Sequence, residues 1–328
     1  MVTLFGIFLL TMLVIVAVAM VRATNLFVSV MLSGIFSLLM AANFFILDAA
    51  DVALTEAAVG AGVSTVLFLS ALALTAERER SPEGRRWLSL AVVTVTALVV
   101  IYATFDKPTL GDPNAPVHVH VAPWYLEKTP ELIDIPNVVT AVLGSFRGYD
   151  TLGEVFVVFV AGIGVLSILG VHGRRTTITA DELERQASLM RHHEIPQVVG
   201  KLLIPYIVLF GLYVQFHGEY GPGGGFQAGA IIAAGVILYA LLEGDWRAHR
   251  VIPQPVLTGM VAGGALLYTG VGVLAMLLGG NFLDYSVLAS DPVKGQQYGI
   301  LAIEAGVGIT VTGVLLSIFH AFAGRESH

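Results

Sequence analysis

The chain contains no cysteine. That excludes disulfides, thiolate metal sites and redox thiols. Charge is scarce too. Charged residues make up 12% of the 328 positions, against about 25% in an ordinary soluble domain. The net charge of −7 is spread over loops and suggests no nucleic-acid partner. The first apolar run lacks a basic leader region and a small-residue cleavage site, so it reads as a retained helix. What remains is apolar: 56% hydrophobic residues and a mean hydropathy of +0.81.

A bilayer core takes about 20 apolar residues in a helix. Nine runs qualify, at about 3–21, 26–47, 53–76, 87–105, 151–171, 198–217, 224–242, 255–279 and 297–321. Lipid cannot satisfy exposed backbone groups, so helix is the default, and runs this long lack the alternation of a barrel. The expected fold is therefore all-α and polytopic, with about nine transmembrane helices.

Basic residues set the expected orientation. Arg22, Arg78, Arg80, Arg85, Arg86, Arg174, Arg175, Arg185, Arg191, Arg247, Arg250 and Arg325 fall on one side of a nine-span chain. Lys107, Lys128, Arg147 and Lys294 fall on the other. The N-terminus is expected outside and the C-terminus in the cytoplasm. Two polar segments interrupt the helices: an outer loop over 106–149 and a cytoplasmic amphipathic stretch over 172–196, capped by Thr179 or Asp181. The second of them separates five helices from four.

An acid inside an apolar span is costly, which makes it a functional candidate. Glu56 and Glu154 each lie about one turn into a span, and Gly60 shares the face of Glu56. Glu304 lies roughly 10 Å into the last span, with Gly308 and Thr312 on its face. All three are expected in the outer half of the membrane. A plainer reading has Glu56 and Glu154 solvated at the interface and Glu304 bonded to a neighbouring helix. Asp48 and Asp51 read as helix caps, Lys201 as a snorkelling cation, and Glu243 and Asp245 as loop charges. His118 and His120 lack a third ligand at recognisable spacing, so no metal site is expected.

Between the sixth and seventh runs stands FHGEYGPGGGFQAGAI, residues 216–231. No strand precedes it and no Gly-Lys-Ser/Thr follows, so it is not a phosphate loop. Pro222 stops a helix, and Gly221, Gly223, Gly224 and Gly225 permit backbone that other residues resist. Phe226 starts the next run. Non-helical backbone near membrane depth survives only when packed in protein or lining a wet cavity. Glycine packing, a hinge, and a break whose free backbone groups face ions or protons all fit. His217 and Glu219 sit beside this break as candidates for the same route.

This stretch, with GILAIEAGVGITVTGVLLSIF further on, resembles the B subunit of the multisubunit Mrp-type sodium/proton antiporters. DVALTEAAVGAG resembles the C-terminal membrane module of that antiporter's large A subunit, and FRGYDTLGEVFVVFVAGIG the small module after it. Both are similar to small subunits of energy-converting hydrogenase membrane arms, and distantly to the J subunit of respiratory complex I. The resemblance implies an A-type module over 1–80, a two-helix module with its outer loop over 81–175, a linker over 176–197 and a B-type module over 198–328. It implies that Glu56 and Glu154 matter for antiport and that the Gly-Pro-Gly segment is functionally sensitive. It implies transported Na+ and H+, no cofactor, an inner-membrane location, and partner antiporter subunits including the large one. No stretch resembles the large antiporter-like helix bundle, so exchange is expected to need those partners. Two other readings stay open: a membrane-arm subunit of a hydrogenase or complex I-like enzyme, and a structural adaptor between antiporter subunits.

Overall fold

The computed structural model describes residues 2–79, 86–109, 111–169 and 194–323. Among these residues there is no β-sheet and there are nine helices long and apolar enough to cross a membrane. The chain is a multi-pass membrane protein. In chain order the helices are α1 (Val2–Arg22), α2 (Leu26–Ile46), α3 (Ala50–Leu72), α4 (Arg86–Thr104), α5 (Ala122–Leu132), α6 (Val138–Ala141), α7 (Gly148–Leu169), α8 (Glu194–His217), α9 (Gly225–Glu243), α10 (Asp245–Val251), α11 (Gln254–Leu277) and α12 (Pro292–Ala323). The short α5, α6 and α10 are not spans. The expected amphipathic helix capped by Thr179 or Asp181 lies outside the described residues.

The hub is α12, the most buried span. It packs against α11, α9 and α7. Small residues allow this. A Cβ on Gly229 would come 2.7 Å from the Gly308 carbonyl oxygen, so α9 and α12 meet backbone to backbone. A core of Tyr268, Tyr285, Ile300, Ile303 and Val155 fills the space between α7, α11 and α12. Tyr268 donates a 2.8 Å hydrogen bond to the Gly148 carbonyl and so ties the start of α7 to α11. A second core of Val63, Ala233, Ile237, Leu257 and Leu316 brings in α3. By contrast, every described side chain of α4 is exposed, so this helix meets lipid or a partner rather than the bundle.

Several expectations change. The third span begins at Ala50 and contains a π-helical stretch, Glu56–Val63. The segment 106–149 is not an open loop. It holds a π turn (Val117–Val121) running into α5, then α6 running into a second π turn (Val142–Phe146). A connection that long rarely stays structureless, and local helical bonds satisfy its backbone without a partner. Glu243 is not a loop charge. It ends α9, its side chain is only 9% exposed, and it is ion-paired with Lys201 of α8 and Arg247 of α10. Lys201 therefore has a protein partner while its side chain stays half-exposed. Asp245 is the first residue of α10 rather than a loop position.

Candidate functional site

The break between α8 and α9 is a tight, pinned turn. After His217 the chain makes turn bonds from Tyr220 N and Gly221 N back to the His217 carbonyl, at 2.9 and 3.0 Å. It then folds under the end of α8, where Gly224 N donates to the Val214 carbonyl at 3.1 Å. Gly224 adopts φ 123° and ψ 178°, a region essentially closed to side chains. Gly223, Gly224 and Gly225 are buried, whereas Pro222 is exposed. A Cβ on Gly225 would strike the Glu304 carbonyl oxygen and the Val307 side chain, which fixes the start of α9 against α12.

Glu304 faces this turn from α12. Its Oε1 lies 3.4 Å from where a Cβ on Gly224 would be, and its Oε2 3.2 Å from the equivalent position on Gly218. At Gly218 a side chain would crowd both the carboxylate and the Gly224 backbone, whereas at Gly224 the backbone angles rather than space call for glycine. Asp51 and Glu219 are close enough to act on it by charge repulsion. One face of Glu304 opens on a cavity of about 560 Å³. Its polar lining is Asp51 and Thr55 from α3, Thr140 from α6, Thr151 and Glu154 from α7, Gln227 from α9, and Glu304. Gly223, Gly224, Gly225 and Phe226 complete that wall.

Of the residues singled out in the sequence, Glu154, Glu304, Gly223, Gly224, Gly225 and Phe226 thus converge on one space. Others lie around it. Glu219 is half-buried beside Glu304, and burial holds its carboxyl above the usual glutamate range. The His217 ring stacks on Tyr213 at 4.8 Å and lies over Gly221, behind the turn. Pro222 faces a separate apolar groove between α1, α2 and α3. Glu56 is not among the cavity residues. It opens the π-helical stretch and points at α2, where a Cβ on Gly60 would meet both its carboxylate and Ser37 Oγ. His118 and His120 stay exposed, and no cluster of three metal-ligating side chains occurs among the described residues.

Asp51 corrects the expectation of a helix cap. The α3 N-cap is Ala49, with no side-chain cap bond, so neither Asp48 nor Asp51 caps this helix. The Asp51 carboxylate instead accepts from Gly223 N at 3.4 Å and from Asn137 Nδ2 at 3.3 Å. The sequence does not mark Asn137, Thr140 or Gln227. Yet Thr140 Oγ1 donates to the Gly218 carbonyl at 2.6 Å, and Gln227 Nε2 donates to Thr55 Oγ1 at 2.8 Å. The signal available for Asn137 is a helix-capping residue type within an apparent loop. Its partners are far away in sequence, and nothing local points to them.

Three domain families match along the chain. Residues 11–77 match the MbhD family, described as the D subunit of MBH, and residues 85–186 the MbhE family, its E subunit. Residues 195–317 match the family described as "Domain related to MnhB subunit of Na+/H+ antiporter". The chain carries MbhD-, MbhE- and MnhB-type domains, in that order. Among curated proteins it is 26% identical over 331 residues to a protein of Rhizobium meliloti (strain 1021) described as a probable K(+)/H(+) antiporter A/B subunit. That match covers 91% of this chain but 32% of the relative. An uncharacterized protein of Methanocaldococcus jannaschii is 33% identical over 178 residues, 51% of this chain and 66% of the relative. Among solved structures, the Mrp complex from Dietzia sp. DQ12-45-1b superposes with a TM-score of 0.75 at 27% identity, over 96% of this chain and 34% of that chain. A chain of the membrane-bound sulfane sulfur reductase, an archaeal respiratory membrane complex, superposes at 0.54 and 27% identity, over 73% of this chain and 98% of that one. The chain thus spans about a third of its full-length antiporter relatives. Set on these domains, the cavity has a composite origin. Asp51 comes from the MbhD-type domain, Thr140 and Glu154 from the MbhE-type, and Glu304 and the glycine turn from the MnhB-type.

Proposed function

We propose that the chain is a subunit of a multisubunit monovalent cation/proton antiporter of the Mrp type, in the inner membrane. Its N-terminus faces outward and its C-terminus the cytoplasm. It works with a large antiporter-like partner and makes or breaks no bond in its cargo. The observation that carries this reading is the convergence of Asp51, Glu154 and Glu304, one acid from each domain, on a single cavity beside the glycine turn. Carboxylates confined within a membrane protein are retained where ions or protons must pass. Hydroxyls of Thr55, Thr140 and Thr151 and the Gln227 amide add oxygen ligands of the hard kind that alkali cations prefer. The transported species are Na+ and H+. Glu56, on the α2 side, serves a separate step or steadies the α2–α3 packing.

The test is exchange in vesicles holding the assembled complex. Glu304→Gln and Glu154→Gln each lower sodium/proton exchange strongly while the complex still assembles. Normal exchange by both variants across the pH range would end the reading. A second reading follows from the sulfane sulfur reductase likeness, which covers nearly all of that chain. Here the same cavity serves ion movement driven by redox chemistry in a partner. Co-purification with an iron–sulfur or flavin protein would favour it; co-purification with a large antiporter-like protein favours the first.

A further inference from the structure

Asn137 occupies an unusual place. It precedes α6, is 9% exposed, and bonds to groups from all around it. Its Oδ1 accepts from Val139 N at 3.0 Å and caps α6. Its Nδ2 reaches Gly221 O at 2.8 Å, Gly218 O at 3.0 Å and Asp51 Oδ1 at 3.3 Å. Its backbone N–H donates to the Glu219 carbonyl at 2.9 Å. The one side chain thus touches all three domains: its own, the Asp51 carboxylate of the first, and the glycine turn of the third.

Only an amide can do this. A buried carbonyl without a donor is costly, and a turn that leaves the helical ladder frees several. Gly221 and Gly218 present such carbonyls towards Asn137. Asparagine brings two N–H donors for them and keeps an oxygen to cap its own helix. Aspartate caps equally well but has no donor. Serine caps, yet is too short to bridge.

We propose that Asn137 is a positioning residue for the ion cavity. It holds the 218–224 turn in the one shape that seats the Glu304 carboxylate against Gly218 and Gly224 and aims Asp51 at Gly223 N–H. It touches neither ion nor proton. This deepens the antiport reading and rests on it for the ion, but not for the hold on the turn.

The experiment separates the two. Asn137→Asp conserves size and cap while replacing both donors with an acceptor; Asn137→Ser keeps the cap and adds no charge. In the purified complex, amide hydrogen exchange over 217–225 rises about 5- to 150-fold in either variant, the span set by depriving the part-buried Gly221 carbonyl of its side-chain donor while Gly218 keeps Thr140. The α6 peptide changes little, because its cap survives. In vesicles, Asn137→Ser raises the apparent KM for sodium about fivefold or more while kcat falls less, as expected when an ion cage loses its shape. If Asn137→Asp fails to assemble, Asn137→Ser alone gives both measurements. Unchanged hydrogen exchange in the turn overturns the proposal. Faster hydrogen exchange with unchanged KM reduces Asn137 to packing and overturns it as well. Normal antiport in Glu304→Gln would sink the transport reading while leaving the hold of Asn137 on the turn to be judged by hydrogen exchange.

Discussion

Gly224→Ala isolates one term of the turn's energetics. At φ 123° and ψ 178° this residue occupies backbone that is essentially glycine-only, and a side chain there costs about 1–3 kcal/mol. Space is not the obstacle. The added Cβ would lie 3.4 Å from Glu304 Oε1 and 3.5 Å from Gln227 Oε1, ordinary contacts. The variant is therefore a nearly pure backbone perturbation, and the turn opens about 5–150 times more often. Hydrogen exchange at Gly224 N–H, bonded to the Val214 carbonyl, reports that opening directly. Gly225→Ala is the steric counterpart. Its Cβ strikes the Glu304 carbonyl and Val307, so α9 and α12 must part and the whole complex loses thermal stability. Gly263→Ala on α11 meets nothing within 4 Å and should change neither measurement. Unaltered exchange in Gly224→Ala would refute the idea that backbone geometry at this position holds the turn.

Three further outcomes follow from other parts of the fold. Glu243→Gln loses the charge that pairs Lys201 and Arg247, at about 1.5–3 kcal/mol, read as a lower melting temperature in detergent and lost in the same variant carrying Lys201→Met and Arg247→Met. Burial raises the Glu219 carboxyl, so the folded state holds its proton more tightly than the unfolded chain. Its contribution to stability is then greatest in acid and declines as pH climbs from the ordinary glutamate range through the raised value; Glu219→Gln should flatten that slope above the ordinary glutamate range, and an unchanged slope would show that Glu219 is not its source. Because the chain has no native cysteine, single cysteines report topology cleanly: the exposed positions Thr109→Cys and Ser290→Cys should label from outside, and Ser81→Cys, Thr177→Cys and Ser327→Cys only after permeabilisation, with outside labelling at position 81 in intact cells reversing the orientation.

The nine spans are legible in the sequence because lipid leaves a chain so few options. A backbone without water must bond to itself, so apolar length alone yields helices. Cost also marks Glu154 and Glu304, and a proline among glycines marks the break, since each is expensive at membrane depth unless used. Direction is what composition does not carry. Asp51 and Glu56 stand five residues apart on one helix, about 140° round it. The sequence singles out Glu56, whereas the cavity takes Asp51. Packing against α2 on one side and the turn on the other decides that Asp51 faces the cavity and Glu56 faces Ser37. Glu243 reads as a surface charge until α8 and α10 close around it. Asn137 reads as a loop residue, because its side-chain partners outside its own helix lie 81 to 86 positions away in sequence. Hydrophobicity and helix period act locally and can be read along the chain. Which polar groups meet across separate helices depends on how those helices rotate and dock, and only the tertiary structure fixes that.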